Sequence, residues 1–141
     1  AQKMKNKKTG EPIEVTVELK LPGYIPEEYA PDLPSRVELY RRLTACSTKK
    51  ELEDAQSEME DRFGKLPSSV LRFLEIIRLK QLCRKWEITC LSPGREAFVG
   101  LYRNRRKIQR LETRSSHVRI VDEKTIWIVG TRDLISVLKE N

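Results

Sequence analysis

The 141-residue sequence predicts an α+β fold, a helical hairpin core packed on a mainly antiparallel sheet of about four to five strands. Three observations predict it. From Glu51 to Trp86 apolar residues recur at intervals of three and four, the period of helices. From Ile88 to Val129 the period falls to two, broken by turn residues at Ser92-Pro93-Gly94 and Asp122-Glu123-Lys124, as in successive hairpins. Helices gathered in one half and hairpins in the other imply separate layers rather than alternating parallel units.

In chain order, residues 1–12 carry four lysines, no apolar periodicity and a Gly-Glu-Pro exit, so a flexible lead-in is expected before a single domain over residues 13–141. The absence of an initial methionine suggests a fragment of a longer chain. Ile13, Val15, Val17, Leu19 and Leu21 alternate with polar residues, which predicts a half-buried strand. Pro22 to Pro34 holds four prolines in thirteen residues, too many for a helix or a central strand. Its Tyr24, Ile25 and Tyr29 imply an extended strap held against the core. Ser35 and Glu38 have capping-box spacing, and Val37, Tyr40 and Leu43 carry a helix to about Ala45.

Thr48 and Glu51 repeat the device and open a helix ending at Phe63, with Leu52, Ala55, Met59 and Phe63 inward and acidic residues outward. Gly64 suits the residue at positive φ that closes a helix, and Pro67 the first turn of the next. That next helix, through Trp86, is apolar over too broad a face for one stripe and is expected at the centre of the core. Ile88–Leu91 and Ala97–Tyr102 form one expected hairpin, with Gly94 in its turn. Asn104 caps a short helix through Leu111, His117–Val121 and Thr125–Val129 form the second hairpin, and Thr131 caps a last helix from Asp133 to Lys139.

The net charge of +7 is local. Residues 84–119 hold ten Lys/Arg against three Asp/Glu, which accounts for the whole excess. No apolar run reaches the ~20 residues of a membrane span, and a soluble, cytoplasmic chain with no membrane partner is expected. Cys46, Cys83 and Cys90 form no C-x-x-C pair and, with His117 as the sole histidine, make no metal set, so buried or half-buried thiols in a reducing compartment are expected. Phosphate-loop, dinucleotide and zinc-protease motifs are missing. Neither a catalytic residue nor a cofactor or metal site is assigned.

Two surfaces carry the functional expectations. Glu58 and Asp61 lie three apart at the C-terminal end of the acidic helix, where the helix dipole favours cations, so they are read either as a docking pair or as ordinary solvated carboxylates. Arg103, Arg105, Arg106, Lys107, Arg110 and Arg114 are dense enough to neutralise several phosphates, with Tyr102 and Phe98 nearby for stacking, or else form a plain solvated face.

Four ordered blocks resemble the C-terminal domain of the bacterial transcription-repair coupling factor. They are the strap Tyr24-Ile25-Pro26-Glu27-Glu28-Tyr29 with Pro31-Asp32, the run Arg36 to Leu43, the pair Glu51-Leu52, and Asp61-Arg62-Phe63-Gly64-Lys65-Leu66-Pro67. Full-length members of that family are ATP-driven DNA translocases, using ATP and Mg, that dislodge RNA polymerase stalled at lesions and recruit nucleotide-excision repair. The resemblance implies a non-catalytic, cofactor-free last domain. It would dock on the N-terminal repair-recruitment module of the same protein, mask the surface that binds the damage-recognition ATPase, and restrain the motor. The family's E-x-x-D-R-F-G motif falls on Glu58, Asp61, Arg62, Phe63 and Gly64, and its acidic positions are the docking residues the resemblance implies. Residue 60, usually apolar in the family, is Glu60. The alternative function is a basic nucleic-acid-binding module using residues 84–119.

Overall fold

The computed structural model describes residues 14–139, so the expected lead-in and Ile13 lie outside the described residues. Three helices follow the strap: α1 (Leu33–Thr44), α2 (Lys49–Phe63) and α3 (Ser68–Trp86). The start of α1 corrects the expected cap. Asp32, not Ser35, is the N-cap; its carboxylate accepts from the Ser35 N–H at 3.1 Å and the Ser35 hydroxyl at 2.9 Å. A full negative charge suits the positive end of the helix, and Pro34 sits in the first turn, where no intrahelical N–H is required. Leu39 and Leu43 take the inward face, while Val37 is exposed.

Thr48 caps α2 as expected, accepting from the Glu51 N–H at 3.1 Å while Glu51 reaches back to the Ser47 N–H at 2.8 Å. Gly64 closes α2 at φ 92°, its N–H donating to Glu60 O at 2.9 Å. Pro67 stands one residue outside α3, at φ −74° and ψ 166°, and so occupies the cap rather than the first helical turn.

The nineteen-residue helix α3 joins two apolar cores. Its first half, through Val70, Leu74 and Ile77, packs with Ile25, Ala30, Leu43, Ala55 and Met59 of the strap, α1 and α2. Its second half, through Leu79, Leu82, Cys83 and Trp86, packs on the sheet. The hairpin therefore meets the sheet through the C-terminal part of α3. Glu87 ends the helix in the left-handed region at φ 57°, with its N–H turned back to Arg84 O and Cys83 O.

Among the described residues five strands form one sheet: β1 (Thr16–Val17), β2 (Ile88–Pro93), β3 (Ala97–Tyr102), β4 (Val118–Ile120) and β5 (Thr125–Val129), in the order β1-β2-β3-β5-β4. The β2–β3, β3–β5 and β5–β4 pairs are antiparallel. Strand β1 pairs parallel to β2, Thr16 opposite Cys90, because the whole helical half lies between them as a crossover. It is far shorter than the expected Ile13–Leu21. After Glu18, whose N–H still reaches Leu91 O at 2.9 Å, the chain is drawn off the sheet edge onto α3. There the Tyr24 N–H donates to Ser69 O at 3.0 Å and Arg72 Nε to Pro22 O at 2.8 Å.

Two further helices, α4 (Arg105–Arg114) and α5 (Leu134–Leu138), cover the same sheet face as α3. Asn104 caps α4 as expected, but the helix runs past Leu111 to Arg114. Asp133, rather than Thr131, caps α5, accepting from the Ser136 N–H at 3.1 Å; the Thr131 hydroxyl accepts from Asp133 N–H one step earlier. Trp86 Nε1 donates to Leu138 O and locks α5 to the end of α3.

Candidate docking surface on the acidic helix

The strap fixes the end of α2. Tyr29 is buried, and its hydroxyl lies 3.2 Å from Met59 O in the last turn of α2 and 3.0 Å from Gly64 O just past it. Its ring packs at 5.5 Å from Phe63, and Arg62 lies over the other aromatic partner, 4.9 Å from the Phe63 centroid. One turn earlier in the strap, Ile25 is buried and its N–H donates to the Tyr40 hydroxyl at 2.8 Å. Tyr24 departs from expectation: it is 47% exposed, since the backbone pairing with Ser69 turns its side chain outward.

On that fixed helix end Glu58 and Asp61 are both exposed. They differ in their partners. Glu58 meets Arg42 of α1 at 2.6 Å, above Leu39, Leu43, Ala55 and Met59 in the α1–α2 crevice. The Arg42 hydrogen bond and charge, helped by Arg62, hold the Glu58 carboxyl below its ordinary pKa. Asp61 has no hydrogen bond or ion pair among the described residues. Neighbouring Arg62 lies over the Phe63 ring, and the Asp61 carboxylate stays open in the last turn, against the helix dipole. Glu60 is exposed, and the inward face of α2 is left to Leu52, Ala55 and Met59.

The basic segment lies on the other core. Ile108 and Leu111 bury the inner side of α4, and Arg103, Arg105, Arg106, Arg110 and Arg114 are exposed. Lys107 is taken out of the set: its ammonium pairs with Glu87 at 3.0 Å and with Lys85 O at 3.1 Å. Stacking by Tyr102 and Phe98 fails as an expectation. Tyr102 is 4% exposed with its hydroxyl donating to Asp122 O, and Phe98 packs against the sheet core.

Gln81 is a structural residue the sequence did not single out. Buried in α3, it donates from Nε2 to Cys46 O at 3.2 Å and Thr48 O at 3.1 Å and accepts from Arg78 at 3.0 Å, tying down the α1–α2 link. Its only signal is an uncharged polar residue between Leu79 and Leu82 of the core helix. Cys46 and Cys83 are buried and Cys90 is half-buried, as expected, and each carries a free thiol. No His/Cys/Asp/Glu group among the described residues has the arrangement of a metal site, and none of the described helices is long and apolar enough to cross a membrane.

The family described as the TRCF domain matches residues 19–120, a span that contains the strap, all of α1 to α3 and the Glu58–Asp61 surface. Among curated proteins, the transcription-repair-coupling factor of Escherichia coli is 29% identical over 142 aligned positions, covering 89% of this chain and 12% of its own length. That of Rickettsia conorii is 38% identical over 95 positions, covering 67% of this chain and 8% of its own length. The chain thus spans only a small part of these relatives. A crystal structure of the C-terminal domain of a transcription-repair coupling factor superposes with a TM-score of 0.75 at 17% identity, covering 89% of this chain and 86% of that one. With the strap, the D-R-F-G bend and the mixed five-stranded sheet all in place, the chain belongs to the TRCF-domain family and has the fold of a coupling-factor C-terminal domain.

Proposed function

We propose that this chain is the non-catalytic, regulatory C-terminal domain of an ATP-dependent DNA translocase that couples transcription to nucleotide-excision repair. It clasps the N-terminal repair-recruitment module of the same protein and masks the site for the damage-recognition ATPase. Glu58 and Asp61 are its docking residues. RNA polymerase and DNA are partners of the parent, ATP and Mg serve its motor, and the whole acts in the cytoplasm. The observation that carries the reading is the state of the acidic pair: two exposed carboxylates on adjacent turns, one open and one held by a single exposed arginine, on a helix end tied down by Tyr29.

The energetics favour a reversible clasp. An exposed ion pair contributes about 0–1 kcal/mol, while a partly desolvated interfacial pair couples by more than ~1.5 kcal/mol. A few kcal/mol suffices to keep an open state at the per-cent level. Tethering in one chain supplies roughly millimolar effective concentration, so weak binding in trans is enough.

Calorimetric titration of this chain against the parent's separate N-terminal module tests the proposal. Binding is expected for the wild type and not for Glu58→Ala/Asp61→Ala with its fold intact. Equal binding by both moves the interface to another surface; no binding by either overturns the docking role.

A further inference from the structure

The outer side of α4 differs from the rest of the surface in chemistry. Burial of Ile108 and Leu111 fixes the rotation of the helix and sends Arg106 and Arg110 to the opposite side. With Arg114 they recur at intervals of four, which sets three guanidiniums along one flank at steps of about 6 Å. Neither Arg106 nor Arg110 has a hydrogen bond or ion pair among the described residues. Arg114 is pre-set: it lies 5.5 Å from the Trp86 ring and donates to Lys139 O at 2.8 Å, yet stays exposed. Glu112, the only carboxylate of the helix, is turned away, accepting from the Ile120 N–H at 2.9 Å.

The arginines line a shallow groove of about 710 Å³ together with Gln109 and Thr113, and every side chain in it can donate a hydrogen bond. That composition selects the partner. Stable protein interfaces bury apolar or aromatic side chains beside their arginines, and no such side chain lines this groove. Phosphate oxygens require only cations and donors. Unpaired bases would call for exposed rings to stack on, but Trp86 and Tyr102 are buried. The geometry points to a sequence-independent site for the backbone of duplex DNA on α4, where Arg106, Arg110 and Arg114 neutralise phosphates of one strand and Gln109 and Thr113 donate beside them. The site shares no residue with the acidic end of α2, which belongs to the other core.

The test is fluorescence anisotropy of the chain with a labelled 20-base-pair duplex of arbitrary sequence, titrated across salt. Three neutralised phosphates give a slope of log K against log salt of about −3, and Arg106→Gln/Arg110→Gln reduces its magnitude by about 2. Arg106→Lys/Arg110→Lys keeps the slope, and so does Arg41→Gln, an exposed arginine on α1. Because the substituted side chains are exposed, thermal unfolding is expected to be unchanged. No binding at low salt, a slope unaltered by the glutamine pair, tighter binding of a single strand, or equal displacement by polyglutamate would each overturn the site.

Discussion

The Arg42 guanidinium of α1 stands 2.6 Å from the Glu58 carboxylate of α2, joining the two helices across the crevice at the edge of the acidic surface. Arg42 is the main cause of the lowered Glu58 pKa, through its hydrogen bond first and its charge second. A carboxyl whose folded pKa is depressed stabilises the fold above its unfolded pKa, and that contribution is lost as pH falls through the folded value. In Arg42→Gln the Glu58 titration, followed by carboxyl NMR, is expected to move up toward the ordinary range. The stability difference between the two proteins should be present at neutral pH and vanish in acid. An unmoved Glu58 titration would refute the pair.

Tyr29→Phe removes the hydroxyl that serves Met59 O and Gly64 O without changing the buried ring. A loss of about 1 kcal/mol in a denaturant titration is expected. Amide exchange should quicken at the last turn of α2 and not at the sheet, since the lost donor lies at that helix terminus alone.

Two glycines are set by different constraints. Gly64 has φ 92° and ψ −165° with open space where a Cβ would go, so Gly64→Ala is resisted by the backbone, at a cost of about 1–3 kcal/mol. At Gly23 a Cβ would stand 2.4 Å from the Phe73 backbone nitrogen, so Gly23→Ala should lift the strap from α3. Increased protease cleavage between Pro22 and Pro34 reports that release; an uncleaved variant would show that the strap tolerates the added carbon.

Gln81→Leu leaves Cys46 O and Thr48 O without their side-chain donor in a buried setting. A destabilisation of about 1–3 kcal/mol by thermal or chemical unfolding is the expected result. Gln81→Glu should be worse near neutral pH, because the carboxylate would face both carbonyls.

The three thiols should alkylate in order of exposure. Burial pushes the Cys83 thiol up to about 12 and raises that of Cys46 as well, whereas Cys90 is half-buried on β2. Mass spectrometry after brief iodoacetamide treatment at pH 8 should find Cys90 modified first and Cys83 last. Early modification of Cys83 would mean that α3 opens at its sheet end.

Local signals were legible where one residue acts on its own neighbours. Thr48 and Asn104 cap as read, Gly64 closes α2, Gly94 donates to Ala97 O in its turn, and the periods of three to four and of two separate helices from strands. Legibility failed where two signals compete within a few residues, as at Asp32 against Ser35 and Asp133 against Thr131. In both cases the carboxylate, with its full charge at the helix N-terminus, takes the cap over the hydroxyl.

By itself, the sequence determined the α+β class, the helical first half, the two hairpins, the placement of Glu58 and Asp61 on one exposed helix end and the family, because periodicity, caps and short motifs act over a single turn or strand. Only the tertiary structure decided that β1 would be two residues long and parallel, that α3 would serve two cores, that Arg42 would claim Glu58 while Asp61 stayed open, and that Lys107 would be lost to Glu87 from an otherwise exposed arginine face. Each of these joins residues far apart in the chain, and their pairing depends on how the helices and the sheet edge come together in space.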